Sequence, residues 1–411
     1  MKKNLIVIII IILMCFNVGC STINENEENI DNNTQVLQEQ ICSQTTLNNS
    51  IANEGDLSRI IKAMEKAQTE KEIKIAFLGG SITYGAGTTV GNDCYSKIVE
   101  KWFKAKFPEA NIISKNAGIS GTDSLLGIHR LKKDVLDYNP DFVIVEYAVN
   151  DGVNGDGTLK IVENSYAFEN IIRDILSTDN QCAVLPLICC TEGGWCSQQD
   201  KLTTSIHYSL PVVSYKNAVE PLIESGEYAW SDLTKDGIHP NNKGHKILGE
   251  LVTNLLEKAY ARINEDVTIN QIPSALTSAI FTNADMLTYK SENITSLGNF
   301  NNGSTYWCFK DGFTPIDNKN AMVVDVECKT FYVFINKTIN NKAAKFEIIV
   351  DDNEPIYITT KSDTGYEQLT CEEILINTDV ANHSIKIRLC EENPDGCDGT
   401  NNQILALLIS K

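Results

Sequence analysis

Four short segments of this chain carry side chains and backbone groups able to do covalent chemistry. Ser81 lies in Gly79-Gly80-Ser81-Ile82-Thr83, directly after the apolar run Ile73–Leu78. A serine at such a strand end, flanked by glycine, can turn its hydroxyl to a ligand while backbone N–H groups lie open. Thr83 stands where the G-x-S-x-G nucleophile elbow needs glycine, so that motif is excluded. Asp236-Gly237-Ile238-His239-Pro240 puts a carboxylate three residues before an imidazole on one loop. From there it can reach the ring, fix its tautomer and stabilise its charged form. A serine hydroxyl is a poor nucleophile at neutral pH and needs a base of this kind. Two further segments offer donors to an oxyanion. In Asn116-Ala117-Gly118-Ile119-Ser120-Gly121-Thr122 glycine lets a backbone N–H point at a substrate oxygen, and in Glu146-Tyr147-Ala148-Val149-Asn150-Asp151 the Asn150 amide can do the same. Taken singly, each segment reads equally as a turn, a cap or a structural Asp–His pair.

Other residue types have weaker claims. Tyr84, Glu192, Trp195 and Trp230 fall on loops near the expected mouth, where an aromatic face would either stack on a sugar ring or pack on its own loop. Asp151 is expected to tie its loop together. His245 should cap or pack the closing helix, His129 should lie at the surface or in lateral packing, His207 should pack on the sheet, and His383 should be a turn residue. Cys94, Cys189, Cys190 and Cys196 have no histidine placed to activate them as nucleophiles. The sequence holds no CxxC pair and no Cys/His metal spacing, so neither a zinc site nor any other cofactor is expected.

The elements that must position these residues follow from periodicity. After Asp56, a plausible N-cap, Leu57, Ile60, Ile61 and Met64 mark a helix. Strands are expected at Ile73–Leu78, Asn111–Ser114, Asp141–Tyr147, Ala183–Cys189 and Pro211–Tyr215. Helices are expected at Tyr95–Phe107, Asp123–Tyr138, Tyr166–Leu176 and Lys243–Ala261. Such alternation implies a parallel sheet with helices on both faces, and ligands on such sheets lie beyond the carboxyl ends of the strands. From about Ile272 the pattern becomes short β-rich segments: Ala321–Val326, Thr330–Ile335, Lys345–Val350, Ile356–Thr360, Ser384–Cys390 and Ile404–Ile409. Asn, Asp and Gly turns separate them, which reads as an all-β sandwich.

The four segments, in this chain order, resemble the SGNH (GDSL-type) esterase and acylhydrolase superfamily over residues 73–262. The most specific part is Val145-Glu146-Tyr147-Ala148-Val149-Asn150-Asp151 combined with Asp236-Gly237-Ile238-His239-Pro240. Gly80 departs from the Asp of the GDS signature, although Gly-Gly-Ser is a familiar variant. The resemblance implies a three-layer α/β/α domain with a flavodoxin-like parallel sheet, followed here by a β sandwich of jelly-roll type. It also implies Ser81 as nucleophile, His239 as its base and Asp236 as the residue that orients His239. The oxyanion hole would then be the N–H groups of Ser81 and Gly121 with the Asn150 amide, and no cofactor is required.

At the N-terminus, Lys2 and Lys3 precede an apolar run from Leu5 to Phe16 and then Val18-Gly19-Cys20-Ser21. This is the pattern of an export signal, and it resembles the lipobox of bacterial lipoproteins with Cys20 as the lipidated residue. The expected organisation is therefore a signal over 1–20, a polar tether over 21–54, a hydrolase domain over 55–264 and the β domain over 272–411. The chain has 54 acidic and 35 basic residues, a formal charge of −19, which argues against a nucleic-acid partner and leaves a lipid anchor or the signal segment as the contact with a membrane, the alternative being a secreted enzyme. Thirteen cysteines in 411 residues are too few for a disulfide scaffold, although Cys390 with Cys397, or Cys189 or Cys190 with Cys196, are possible pairs. The expectation is a surface-held serine esterase that removes acyl groups, chiefly acetyl, from a carbohydrate. The alternatives are a lipase, lysophospholipase or thioesterase of the same superfamily, a surface acyltransferase, or a glycan-binding protein.

Overall fold

The computed structural model describes residues 40–89, 93–152 and 161–411. The apolar run, Cys20 and residues 21–39 of the expected tether lie outside the described residues. The described residues from Gln40 to Glu54 are folded onto the rest of the chain, which corrects the tether expected up to residue 54. α1 (Gln44–Asn49) is capped by Ser43, and β1 (Ile51–Asn53) follows it. The Ile41 and Cys42 amides donate to Glu250, Cys42 and Leu47 are buried, and β1 pairs with a later strand at Val213 and Val212. The polar composition of this segment hid it, because its order comes from docking on the rest of the chain and not from its own hydrophobicity.

The α/β domain continues with α2 (Ser58–Thr69), β2 (Glu72–Gly79), α3 (Ser81–Tyr84), α4 (Tyr95–Lys106), β3 (Asn111–Gly118), α5 (Ser124–Asp134) and β4 (Phe142–Glu146). Then come α6 (Ala148–Asp151), α7 (Glu163–Leu176), β5 (Ala183–Ile188), α8 (Gln198–His207), β6 (Val212–Ser214), α9 (Tyr215–Glu224), α10 (Trp230–Leu233) and α11 (Asn242–Tyr260). The sheet order is β1-β6-β5-β4-β2-β3, parallel except for β1. Alternation along β2 divides its side chains between two layers. Ile73, Ile75 and Phe77 face α2, α4, α9 and α11, while Ala76 and Leu78 face α5 and α7. The strand order reverses about β2, so the carboxyl ends of β2, β3 and β4 border the switch point where such sheets bind ligands.

The second domain is an antiparallel sheet. Its strands are β7 (Asp285–Leu287), β8 (Ile294–Ser296), β9 (Phe300–Asn302), β10 (Phe313–Pro315), β11 (Met322–Lys337), β12 (Lys345–Val350), β13 (Ile356–Thr359), β14 (Gln368–Leu389) and β15 (Ile404–Ser410). They run in the order β13-β12-β14-β11-β15-β10-β9, with β7 on β15 and β8 on β11. The segments expected at Ala321–Val326 and Thr330–Ile335 are one strand, β11, with a register shift between Cys328 and Thr330. Alternate residues of β11 and β15 serve different cores. Phe331, Val333, Ile335, Leu407 and Ile409 fill the β domain's own interior. Tyr332, Phe334, Ala406 and Leu408 join a cluster with Leu125, Ile128, Phe168 and Ile172 of α5 and α7. The β domain thus forms a further layer over one helical face of the α/β domain. The cysteines of the pairs considered above, Cys189, Cys190, Cys196, Cys390 and Cys397, are free thiols.

Candidate active site

Ser81 opens α3 at the end of β2, and its side chain is nearly buried. Its approach is made by absent atoms. A Cβ on Gly79 would stand 2.2 Å from Thr83 Oγ1 and 2.5 Å from the Glu146 carbonyl oxygen. A Cβ on Gly80 would stand 2.6 Å from Asn150 Oδ1. The two glycines let Ser81 turn close against the end of β4, which explains why Gly occupies position 80 in this chain.

His239 Nε2 lies 3.0 Å from Ser81 Oγ, and its Nδ1 lies 2.7 Å from Asp236 Oδ2. The Asp236 carboxylate can only accept, so Nδ1 carries the proton and Nε2 faces the serine as an acceptor. The Ile238 and His239 amides donate to Asp236 Oδ1 at 3.0 and 2.8 Å. Desolvation would raise the Asp236 carboxyl, but the bonds from the His239 backbone and ring outweigh it and hold the group below its usual range. The loop itself is pinned on both sides. The Lys235 amide donates to the His239 carbonyl, the Glu192 amide donates to the Gly237 carbonyl, and Asn241 caps α11 immediately afterwards.

Three groups expected as oxyanion donors border the same strand ends. The Ser81 N–H sits in the first turn of α3, where a helix has no internal acceptor for it. Gly121 has φ +75, a conformation that favours glycine, and open space where a side chain would project. Asn150 lies in α6, against Gly80. Beneath them is a buried polar layer. The Glu146 carboxyl is pushed up to about 8 by burial and by the Asp151 charge, and Thr83 Oγ1 bridges it to the Tyr95 hydroxyl at 3.4 and 2.9 Å. Arg130, fully buried, donates to the Ala117 carbonyl at 2.7 Å and to the Gly79 carbonyl at 3.1 Å. It holds the ends of β3 and β2 together. Nothing in the spacing singled it out beyond its place on the inward stripe of α5, four residues after Leu126.

Of the four residues expected to meet substrate, Glu192 is exposed and so is Tyr84, at 52%. Its edge meets Trp307 of the β domain, also 52% exposed, with ring centroids 5.7 Å apart. Sequence reasoning missed Trp307, whose only signal was an aromatic set in a Gly-, Asn- and Ser-rich stretch. Trp195 packs instead against Gly152 and donates to the Val149 carbonyl at 3.3 Å. Trp230 packs on the core, and Glu192 supports the Asp236–His239 loop through its backbone. Of the other histidines, His245 is a packing residue stacked on Tyr95. His129 is not at the surface but is buried between α5, Phe281 and Tyr332. His207 ends α8, with its ring on the Ser274 carbonyl, and His383 lies within β14 against Asp351. Among the described residues, no group of three or more His, Cys, Asp or Glu is placed to hold a metal ion.

Residues 77–247 match the model of the GDSL-like lipase/acylhydrolase family, which spans the segments carrying Ser81, Gly121, Asn150, Asp236 and His239. Over these residues the α/β domain is similar to that family, and the protein is a carboxylic ester hydrolase. Two crystal structures of a two-domain esterase (CEX) active on acetylated mannans, one co-crystallised with mannopentaose, are similar over both domains. Each is 28% identical and covers 89% of this chain; 98% and 99% of those chains are covered, with TM-scores of 0.78 and 0.79. No curated protein matches the chain.

Proposed function

We propose that this protein removes O-acetyl groups from an extracellular carbohydrate through an acyl-serine intermediate. The observation that carries the reading is the unbroken chain Ser81 Oγ–His239 Nε2 and His239 Nδ1–Asp236. In the first step His239 takes the Ser81 proton as the oxygen attacks the ester carbonyl. The Ser81 and Gly121 N–H groups and the Asn150 amide receive the negative oxygen. The imidazolium, stabilised by Asp236, then returns its proton to the departing sugar hydroxyl. Water repeats the sequence on the acyl-serine and releases acetate.

The carbohydrate substrate is supported by the likeness across both domains to an esterase active on acetylated mannans. The exposed Tyr84–Trp307 pair supports it too, one residue from each domain and one of them a turn away from Ser81, since such faces suit a sugar ring. Export and anchoring at Cys20 belong to the same reading. Acetate release should be measured on acetylated mannan, xylan and pectin, and cleavage on acetyl, butyryl and dodecanoyl nitrophenyl esters. Acetylated glycan and acetyl ester should be preferred, and Ser81→Ala and His239→Ala should abolish both. A preference for the dodecanoyl ester, or most of the activity surviving in either variant, would overturn the reading.

A further inference from the structure

Between Trp195 and Lys201, one stretch of chain outside the serine, histidine and oxyanion segments grips both sides of Asn150. The Ser197 amide and hydroxyl donate to the Ala148 carbonyl at 2.8 and 3.0 Å, and the Trp195 ring donates to the Val149 carbonyl at 3.3 Å. Lys201, at 1% exposure, ion-pairs with Asp151, whose side chain is equally buried. Asp151 in turn spans to the other oxyanion segment. Its Oδ1 accepts from the Ser124 amide at 2.8 Å and its Oδ2 from the Ser124 hydroxyl at 2.6 Å, three residues after Gly121. One carboxylate therefore joins the turn carrying the Asn150 amide to the loop carrying the Gly121 N–H, and Lys201 is its counter-ion.

We propose that Lys201 is a positioning residue for ester hydrolysis: it keeps Asp151 ionised, so that this carboxylate fixes Gly121 and Asn150 in one rigid frame. The proposal rests on the assignment of those two groups to the oxyanion hole. The surroundings make a counter-ion necessary. Asp151 faces Lys201 from α8, which is itself paired with Asp200, as well as Asp123 from the start of α5 and Glu146 from β4. Apart from Lys201, every charge in that set would favour protonation of Asp151, as does its burial. Lys201 is also held by Asp200 at 3.0 Å and lies 4.3 Å above the Phe168 ring. A lysine buried this deeply carries a desolvation cost that a purely structural position would meet more readily with an apolar side chain. Protonated Asp151 would keep at most part of its tie to Ser124, leaving the two donors free to drift apart. Preorganised donors are what such a site supplies, so the loss should appear in the chemical step.

The test is steady-state hydrolysis of nitrophenyl acetate by the full chain and its Lys201→Met variant across pH. The expected result near neutral pH is a kcat lowered about tenfold or more with KM changed little, on the scale of a misplaced oxyanion donor. The acid limb of the variant's kcat profile should move to higher pH, because Asp151 now takes a proton that Lys201 had kept away. Ser124→Ala, which removes one hydroxyl of the same tie, should lower kcat alone by a smaller factor, and it supplies the readout if Lys201→Met fails to fold. An unchanged kcat and pH profile in the folded lysine variant, or an unchanged kcat in Ser124→Ala, overturns the proposal. Asn150→Ala is measured in parallel. If it retains full activity, the oxyanion assignment falls; if it loses activity while the Lys201 and Ser124 variants keep theirs, only the positioning role falls.

Discussion

Gly80 shows how much one missing atom decides at this site. The Asn150 amide oxygen occupies the space a Cβ would take, 2.6 Å away, and the Thr122 carbonyl closes the other side at 3.2 Å. In Gly80→Ala the backbone carbonyl cannot move without breaking the loop, so the side-chain amide must swing. The amide is the group assigned to the oxyanion, and loss of one such donor costs about 10²–10³ in kcat. The expected outcome is a kcat lowered roughly 10–100-fold with little change in melting temperature, since a displaced amide weakens catalysis more than packing. Nitrophenyl acetate kinetics beside a thermal melt will check it. A variant with parental kcat would show that Asn150 does not work from its present position.

At the scale of elements, what was legible in the sequence had strong local periodicity. β2 and β4 are apolar, alternate between two helical layers, and end in the segments that carry Ser81 and Asn150, so both strands and their chemistry could be placed. The Asp236–His239 loop was legible because the carboxylate and imidazole lie three residues apart and close on each other locally. What stayed hidden depends on distant partners. β1 exists by pairing with β6, and the first half of β14 breaks its alternation at the register shift opposite Phe331 and Tyr332. Lys201 gave no sign of burial, because its partner Asp151 is fifty residues earlier. The end of β4 offers a prediction at this scale. Glu146 is raised to about 8 by burial, whereas an unfolded glutamate titrates near 4.5. Between those values the folded chain holds a proton that the unfolded chain has lost, so stability falls as pH rises through the window. Glu146→Gln removes that term. Melts from pH 5 to 8 should therefore show a steeper decline in the parent than in the variant, and parallel curves would mean the carboxyl is ionised in the fold.

For the whole molecule, the question is whether the β domain is a passenger or part of the enzyme. Its attachment is extensive. Glu169 accepts the Leu276 and Thr277 amides at 2.6 Å each, Arg173 donates to the Pro273 carbonyl at 2.8 Å, and Asn170 donates to the Ser278 carbonyl at 3.1 Å. Beyond this strap, Phe281, Tyr332, Phe334, Leu405 and Leu408 are buried in one cluster with Leu125, Ile128 and Phe168. Burying each such side chain is worth about 1.5–3 kcal/mol, a large share of a domain's net stability. This fixed docking sets Trp307 against Tyr84. Trp307→Ala should therefore raise KM for acetylated polymer several-fold more than KM for nitrophenyl acetate, and equal effects on both would remove Trp307 from glycan binding. The shared cluster also predicts how the molecule unfolds. Two domains that each complete the other's apolar face lose that face together, so the full chain should melt in one cooperative transition. A chain ending at residue 271 would leave α5 and α7 uncovered on one side, and it should aggregate or melt well below the full chain. Calorimetry and size-exclusion chromatography on both lengths will decide it. Two separate transitions in the full chain, or a soluble shortened chain with the parental melting temperature, would show that the β domain rests on the α/β domain without stabilising it.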